Sequence, residues 1–208
     1  MTTPLRSRGR LRPGLRRPVA AATVAVTALT GIATASATPA SAVTGSKVLT
    51  GYTQQIQQQS NWCWAASGTS IAVYEGSDIT QTQFCNAGQG RPTSNTTCPD
   101  NQGDIPMVQK GFRAAGVSAG QEVDNTVSYS TVQSEINANR PLQTRIVWSS
   151  GGGHMEVVYG YDTSKGLIYW GNPLGDNGSY QRYNQTTYDY YVSNGTFSWT
   201  HTIDRIGA

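Results

Sequence analysis

The alternation of apolar and polar positions divides the chain into three stretches of different texture. From Val19 to Ile32 the residues are almost all Ala, Val, Thr and Leu. That run is too short and too rich in Ala and Thr for a membrane span of about 20 apolar residues. A middle stretch carries helical spacing. Ser60-Asn61 can cap a helix over Trp62 to Tyr74 that ends at Gly76, and Asp78 can cap a short helix reaching Phe84. Asp104 precedes a helix with Pro106 in its first turn and Ile105, Val108, Phe112 and Ala115 on one face, closed by Gly116. Ser130 and Gln133 read as a capping box for a helix to about Asn139, with Val132 and Ile136 one turn apart and Arg140-Pro141 as its stop. The last stretch changes period. Leu142–Trp148, His154–Tyr161, Leu167–Trp170, Tyr180–Tyr183 and Phe197–Ile203 are β-branched or aromatic runs divided by Gly, Asn, Asp and Ser. An edge strand at Lys47–Tyr52 completes the set. Helices first and strands second predict an α+β fold, a helical half and an antiparallel sheet half with a cleft between them.

Charge changes the picture at the N-terminus. Arg6, Arg8, Arg10, Arg12, Arg16 and Arg17 precede the first apolar run, no acidic residue lies among them, and Ala35-Ser36-Ala37 and Ala40-Ser41-Ala42 follow it as small-x-small sites. Positive segment, apolar segment and cleavage site in that order predict a secretory signal peptide over residues 1–42 and a secreted, extracellular mature protein. Arg16-Arg17 lacks the follow-up of a twin-arginine signal. Removal of residues 1–42 takes away six of the 15 basic residues and none of the 12 acidic ones, so the mature chain carries −3 rather than +3. The basic balance thus belongs to the export segment and gives no footprint for nucleic acid. Residues 43–208 are one domain by length. It is expected to be a monomer with no membrane partner, and no long pro-segment is expected before its chemistry begins.

The chain has three cysteines, Cys63, Cys85 and Cys98. An odd count in an exported protein leaves one thiol over. Cys85 and Cys98 flank a polar loop rich in Gly, Pro, Asn and Thr, so a disulfide between them would close a short loop and leave Cys63 free. A free thiol kept in an oxidising compartment points to chemistry, against the alternative of an inert buried Cys.

Three segments carry that chemistry. In Gln57-Gln58-Gln59-Ser60-Asn61-Trp62-Cys63-Trp64-Ala65-Ala66 the cysteine falls in the first turn of a predicted helix. Backbone N–H groups and the helix dipole there are expected to lower a thiol pKa. Gln57 could donate its side-chain amide to an oxyanion beside the sulfur, with Gln58 and Gln59 as rivals. In Gly151-Gly152-Gly153-His154-Met155-Glu156-Val157-Val158 a glycine loop, readable simply as a hairpin connection, delivers a histidine at the head of a strand, placed to take the Cys63 proton. In Trp170-Gly171-Asn172-Pro173 the Asn follows the next strand, where it can fix the imidazole tautomer or serve only as a turn residue. His201 on the terminal strand reads as a sheet residue, and Asp162 and Asp176 as turn formers that are the alternatives to Asn172. Two His and three Cys at wide spacing make no metal set.

These segments resemble the papain-like cysteine peptidases, in particular the compact bacterial group that includes the plant-pathogen effector peptidases. The six-residue step from Gln57 to Cys63 matches papain-like enzymes generally, and Gln-Ser-Asn-Trp-Cys-Trp-Ala-Ala matches the compact group. His154 with its apolar strand and Gly-Tyr-Asp turn is similar to that group's histidine segment. The resemblance covers about residues 47–205 and implies a two-lobed papain-like fold, peptide-bond hydrolysis through an acyl-enzyme and no cofactor. It implies a protein or peptide substrate, with Gln57 as the oxyanion glutamine, Cys63 as nucleophile, His154 as base and Asn172 as orienting residue. The compact group often has Asp where Asn172 stands, whereas papain uses Asn. Two other functions fit the same residues: a peptidoglycan amidase or transglutaminase-type acyl transferase with the same Cys-His set, and a non-catalytic binding protein on a papain-like frame. The aromatic tail, with Tyr180, Tyr183, Tyr188, Tyr190, Tyr191 and Trp199, reads mainly as sheet faces and core.

Overall fold

A computed structural model describes residues 44–207; the export segment expected over 1–42 lies outside the described residues. The elements run β1 (Ser46–Val48), α1 (Cys63–Tyr74), α2 (Gln81–Gly88), α3 (Ile105–Ala114), β2 (Ala119–Val123), α4 (Tyr129–Asn137), β3 (Leu142–Trp148), β4 (Gly153–Asp162), β5 (Leu167–Gly171), β6 (Tyr183–Thr187), α5 (Tyr188–Val192) and β7 (Phe197–Ile206). The strands form one seven-stranded sheet in the order β2-β7-β3-β4-β5-β6, with β1 pairing β4, and every pairing is antiparallel. The α+β class and its sheet-forming second half agree with the sequence. The segregation is not strict, because β1 and β2 from the first half of the chain join the sheet.

The helical layer is built around rings set against glycines. Trp64, Phe84 and Phe112 are fully buried, and a Cβ on Gly68 or Gly111 would overlap the Phe84 ring, while one on Gly88 or Gly103 would overlap Trp64. The absence of side chains at these four places lets α1, α2 and α3 close on two aromatic rings. The disulfide Cys85–Cys98 forms as expected, with Cα atoms 6.1 Å apart. Both flanking tryptophans hold the chain just after it: Trp62 Nε1 donates to Pro99 O (3.2 Å) and Trp64 Nε1 to Asn101 O (3.1 Å).

Helix starts differ from the sequence reading in three places. Asp104 caps α3 as expected, accepting from Met107 N at 2.8 Å. Helix α1 begins after Trp62 with no side-chain cap, so Ser60 and Asn61 do not serve. Helix α2 is capped by Thr80 in a reciprocal capping box with Gln83, not by Asp78. Helix α4 is capped by Ser128, which bonds Thr131 N, not by Ser130. The strand expected at Tyr180–Tyr183 starts only at Tyr183, and the expected edge strand at Lys47–Tyr52 is the shorter β1.

Two polar side chains fasten α1 to the sheet. Ser67 Oγ donates to Met155 O (3.0 Å) and Gln143 Nε2 to Trp64 O (3.3 Å), both fully buried. They set the first turn of α1 against the head of β4.

Candidate active site

Cys63 is the first residue of α1 and the free cysteine of the chain; it is half-buried. The backbone N–H groups of Met155, Trp64 and Cys63 near its sulfur favour thiolate. Burial nevertheless pushes the thiol up, and the Glu156 carboxyl adds to the rise. The expectation that the helix start alone would lower this pKa is therefore corrected: the local amides act in the predicted direction and desolvation outweighs them.

His154 stands at the head of β4, buried at 5 % exposure. Its Nε2 lies 2.9 Å from Asn172 Oδ1. That oxygen also accepts from Leu174 N (2.9 Å), which identifies the atom as the amide oxygen. Because an amide oxygen only accepts, Nε2 must carry a proton, and the imidazole lone pair is left on Nδ1. Burial lowers the His154 pKa to about 4, partly offset by the Asn172 hydrogen bond, so the ring is a neutral base. Trp148 at the end of β3 stacks on the ring (centroids 5.8 Å apart) and helps to keep it dry.

Asn172 follows β5 at 1 % exposure, and its backbone N–H donates to Arg182 O (2.9 Å). The next residue links it to the glutamine segment, since Gln57 N donates to Pro173 O at 2.8 Å. Gln81 supports the same segment from α2: its Nε2 reaches Gln55 Oε1 and Ile56 O, and its Oε1 accepts from Gln58 N.

Gln57, Cys63 and His154 line one cavity of about 240 Å³, together with Arg145, Trp148, Met155 and Leu174. Gln58 and Gln59 are exposed and do not line it. The Gln57 amide is not aimed freely into the cavity: Nε2 donates to Gln59 O (2.9 Å) and Ser60 O (2.7 Å), and Oε1 is buried without a partner. The rivals of the other site residues lie elsewhere. His201 Nε2 is 2.9 Å from Asp124 Oδ1. Asp162 Oδ1 accepts from Ser164, and Asp176 Oδ1 from Arg182 N, as turn formers do. Gly151 and Gly152 take positive φ in the β3–β4 hairpin, closed by Trp148 N to Gly152 O. Among the described residues no group of three or more His, Cys, Asp or Glu gathers as for a metal ion.

Two features were not singled out from the sequence. Beyond Trp148 lies a larger cavity of about 790 Å³, walled by Trp148, Trp170, Tyr180, Tyr190 and Phe197 with Asn172 at its edge. The other is Glu156, fully buried two residues after His154, with Oε1 3.9 Å from His154 Nε2. A strand repeats its facing every two residues, so an acid at that spacing from the histidine was a visible signal.

Comparison with known proteins begins with solved structures. A protein from Bacillus anthracis described as a C39-like peptidase is 14% identical with a TM-score of 0.49, over 77% of this chain and 98% of its own. Xylellain, a cysteine protease from Xylella fastidiosa, is 13% identical with the same TM-score, over 77% of this chain and 85% of its own. No curated protein matches the chain. The model of the family "Papain-like cysteine protease AvrRpt2" matches residues 46–190, a span that holds Gln57, Cys63, His154 and Asn172. The chain belongs to this family of papain-like cysteine proteases and is a cysteine-type peptidase.

Proposed function

We propose that the protein is a secreted endopeptidase in which Cys63 is the nucleophile, His154 its base and Asn172 the group that orients the base. The observation that carries this reading is the His154 Nε2–Asn172 Oδ1 contact of 2.9 Å, which leaves Nδ1 as the basic nitrogen of a ring that lines one cavity with Cys63. Secretion is supported by the export pattern in residues 1–42 and by the Cys85–Cys98 disulfide, a bond of oxidising compartments.

The reaction follows from these positions. Thiol and imidazole both rest neutral, so Nδ1 takes the thiol proton as Sγ attacks the substrate carbonyl carbon. The C=O pair moves onto oxygen. The N–H of Cys63, free of any helical partner at the first position of α1, is the donor for that oxyanion. The Gln57 amide joins it by exchanging one of its two backbone carbonyl partners. When the C–N bond breaks, Nδ1–H gives its proton to the leaving amine and a thioester remains. Water, deprotonated at Nδ1, then attacks the thioester and restores thiol and neutral imidazole. The cavity beyond Trp148, where its aromatic walls meet the polar Asp176, Ser179, Gln181 and Asn184, is the subsite for bulky side chains flanking the scissile bond.

The test is hydrolysis of a denatured protein by the domain from about Val43 in mild reductant, beside Cys63→Ala and His154→Ala, with mass spectrometry of the fragments. Loss of cleavage in both variants, with wild-type fragment ends rich in bulky residues, is the expected result. Wild-type protein that cleaves no protein but opens cell-wall amides would replace the endopeptidase with the amidase. No cleavage, with a Cys63 that resists alkylation, would remove the enzymatic site.

A further inference from the structure

The reaction above makes no use of Glu156, yet few positions in the molecule are less favourable for an unused acid. The side chain is completely buried in β4, on the same face as His154. Its Oε2 accepts from Tyr191 Oη at 2.8 Å, and Tyr191 Oη in turn meets Thr144 Oγ1 at 2.7 Å, so that oxygen is fixed from α5 and β3. Its Oε1 has no hydrogen-bond partner and lies 3.9 Å from His154 Nε2. The carboxyl is thus anchored by one oxygen while the other is held, unsatisfied, beside the ring nitrogen that Asn172 already holds. A buried acceptor with no partner is costly, and the same volume could be filled by an apolar residue at no such cost.

We infer that Glu156 is a positioning residue of the peptidase reaction, a buried counter-charge that acts through His154 and stabilises its imidazolium when Nδ1 has taken the Cys63 proton. The inference rests on the Cys63–His154 reading above. At rest the ring is neutral, and a neutral carboxyl beside it is the cheaper state. Burial pushes Glu156 up to about 8, with the Tyr191 hydrogen bond pulling the other way. Once the ring is cationic, an anion at this distance and in this dry setting is favoured. The titratable groups facing Glu156 are His154 on its own strand, Cys63 from α1 and Tyr191 from α5, with the buried Tyr52 behind Tyr191. The phenols are raised well above their ordinary range, so they remain neutral donors while Glu156 titrates. Asn172 then fixes which tautomer the ring adopts, and Glu156 sets how readily that ring holds a second proton.

The test is the pH profile of kcat/KM for the wild type, Glu156→Gln and Tyr191→Phe, with thermal unfolding to confirm folding. Gln keeps the shape and an oxygen for Tyr191 but cannot ionise. The ratio of wild type to Glu156→Gln should grow by about tenfold or more between about pH 5 and pH 8.5, as Glu156 ionises beside the imidazolium. Tyr191→Phe keeps the carboxyl and removes a hydrogen bond that favours its ionised form, so the same rise should move to higher pH. A ratio that does not change with pH would reduce Glu156 to packing and overturn the inference. The alkylation rate of Cys63 by iodoacetamide, followed over the same pH range, needs no turnover. If no protein substrate is cleaved but the ratio of wild-type to Glu156→Gln alkylation rates still changes with pH, the endopeptidase reading fails and the coupling stands.

Discussion

The two halves of the molecule hold their members of the Cys63–His154 pair by opposite means. The helical half relies mainly on steric packing. Cys63 is fixed because Trp64, next to it, fills a slot floored by Gly88 and Gly103, with Phe84 packed into Gly68 and Gly111. The sheet half buries polarity. Around His154 lie Asn172, Glu156, Thr144 and Tyr191, all at or near full burial and joined by short hydrogen bonds. In the proposed reaction the nucleophile needs only a fixed position, which rings against glycines supply. A base needs a fixed tautomer and a tuned charge, which apolar packing cannot supply. Damage to the first half should therefore appear as lost stability at every pH, and damage to the second as a change in pH dependence.

The strongest way to break this contrast is Trp64→Ala. The indole is completely buried and holds Asn101 through its N–H. Removing it opens a cavity whose glycine walls have no side chains to collapse into it, and should destabilise the domain by about 3–5 kcal/mol. Urea denaturation measures this. Wherever the variant remains folded, the pH profile should keep the wild-type shape. A changed shape would show that the helical half also tunes charge.

The same division decides what could be read from sequence. Asp104, the strand Leu142–Trp148 and the meeting of Cys63 and His154 in one cavity with Asn172 against the ring were legible because each is signalled within a few neighbouring residues. Elements made by distant partners were not. β2 has the unpromising sequence Ala-Gly-Gln-Glu-Val and is a strand because β7 pairs with it. α5, Tyr-Asp-Tyr-Tyr-Val, was not predicted as an element, yet Thr187 caps it as a helix and Tyr191 is drawn into the core. Among the caps, Thr80 lost to Asp78 and Ser128 to Ser130 in the sequence because each pair offers two good capping residues, and only packing chooses between them. The direction of the Cys63 thiol shift was misjudged for the same reason. Burial, which raises it, is set by tertiary packing that no neighbouring residue signals, and of the amides that lower it Trp64 is local while Met155 comes from β4.

The sheet half makes a prediction of intermediate size, on stability rather than rate. Glu156 is raised from 4.5 to about 8 in the folded state, so its contribution is fully favourable below about pH 4.5 and is lost as pH rises towards 8. His154 is lowered from 6.5 to about 4, so its contribution is present above about pH 6.5 and is lost as pH falls towards 4. Between about pH 4.5 and 6.5 the two slopes oppose and cancel. From about pH 6.5 to 8 only Glu156 of this pair titrates, and stability should fall by up to about 1.4 kcal/mol per pH unit. Unfolding by urea across that window should show the fall in the wild type and none in Glu156→Gln. An equal fall in both would place its source elsewhere and remove the carboxyl from the account of this half.

The smallest effect gives the control that sharpens the comparison. Ser128 caps α4 by accepting from Thr131 N at 3.1 Å, on a helix that packs against β1 and β4 without reaching the cavity of Cys63 and His154. Ser128→Ala leaves one first-turn amide without its acceptor and should cost about 1 kcal/mol. Ser130→Ala, at the position favoured by the sequence pattern, should cost less, because Ser130 lies inside the first turn and only its hydroxyl touches the cap, 2.8 Å from Ser128 Oγ. Neither change alters a group that faces His154, so kcat/KM and its pH dependence should follow the wild type below the unfolding transition. If Ser128→Ala shifted the pH profile, the polar setting of His154 would extend through β4 to its outer helix. The line between a steric half and an electrostatic half would then have to be redrawn to include α4.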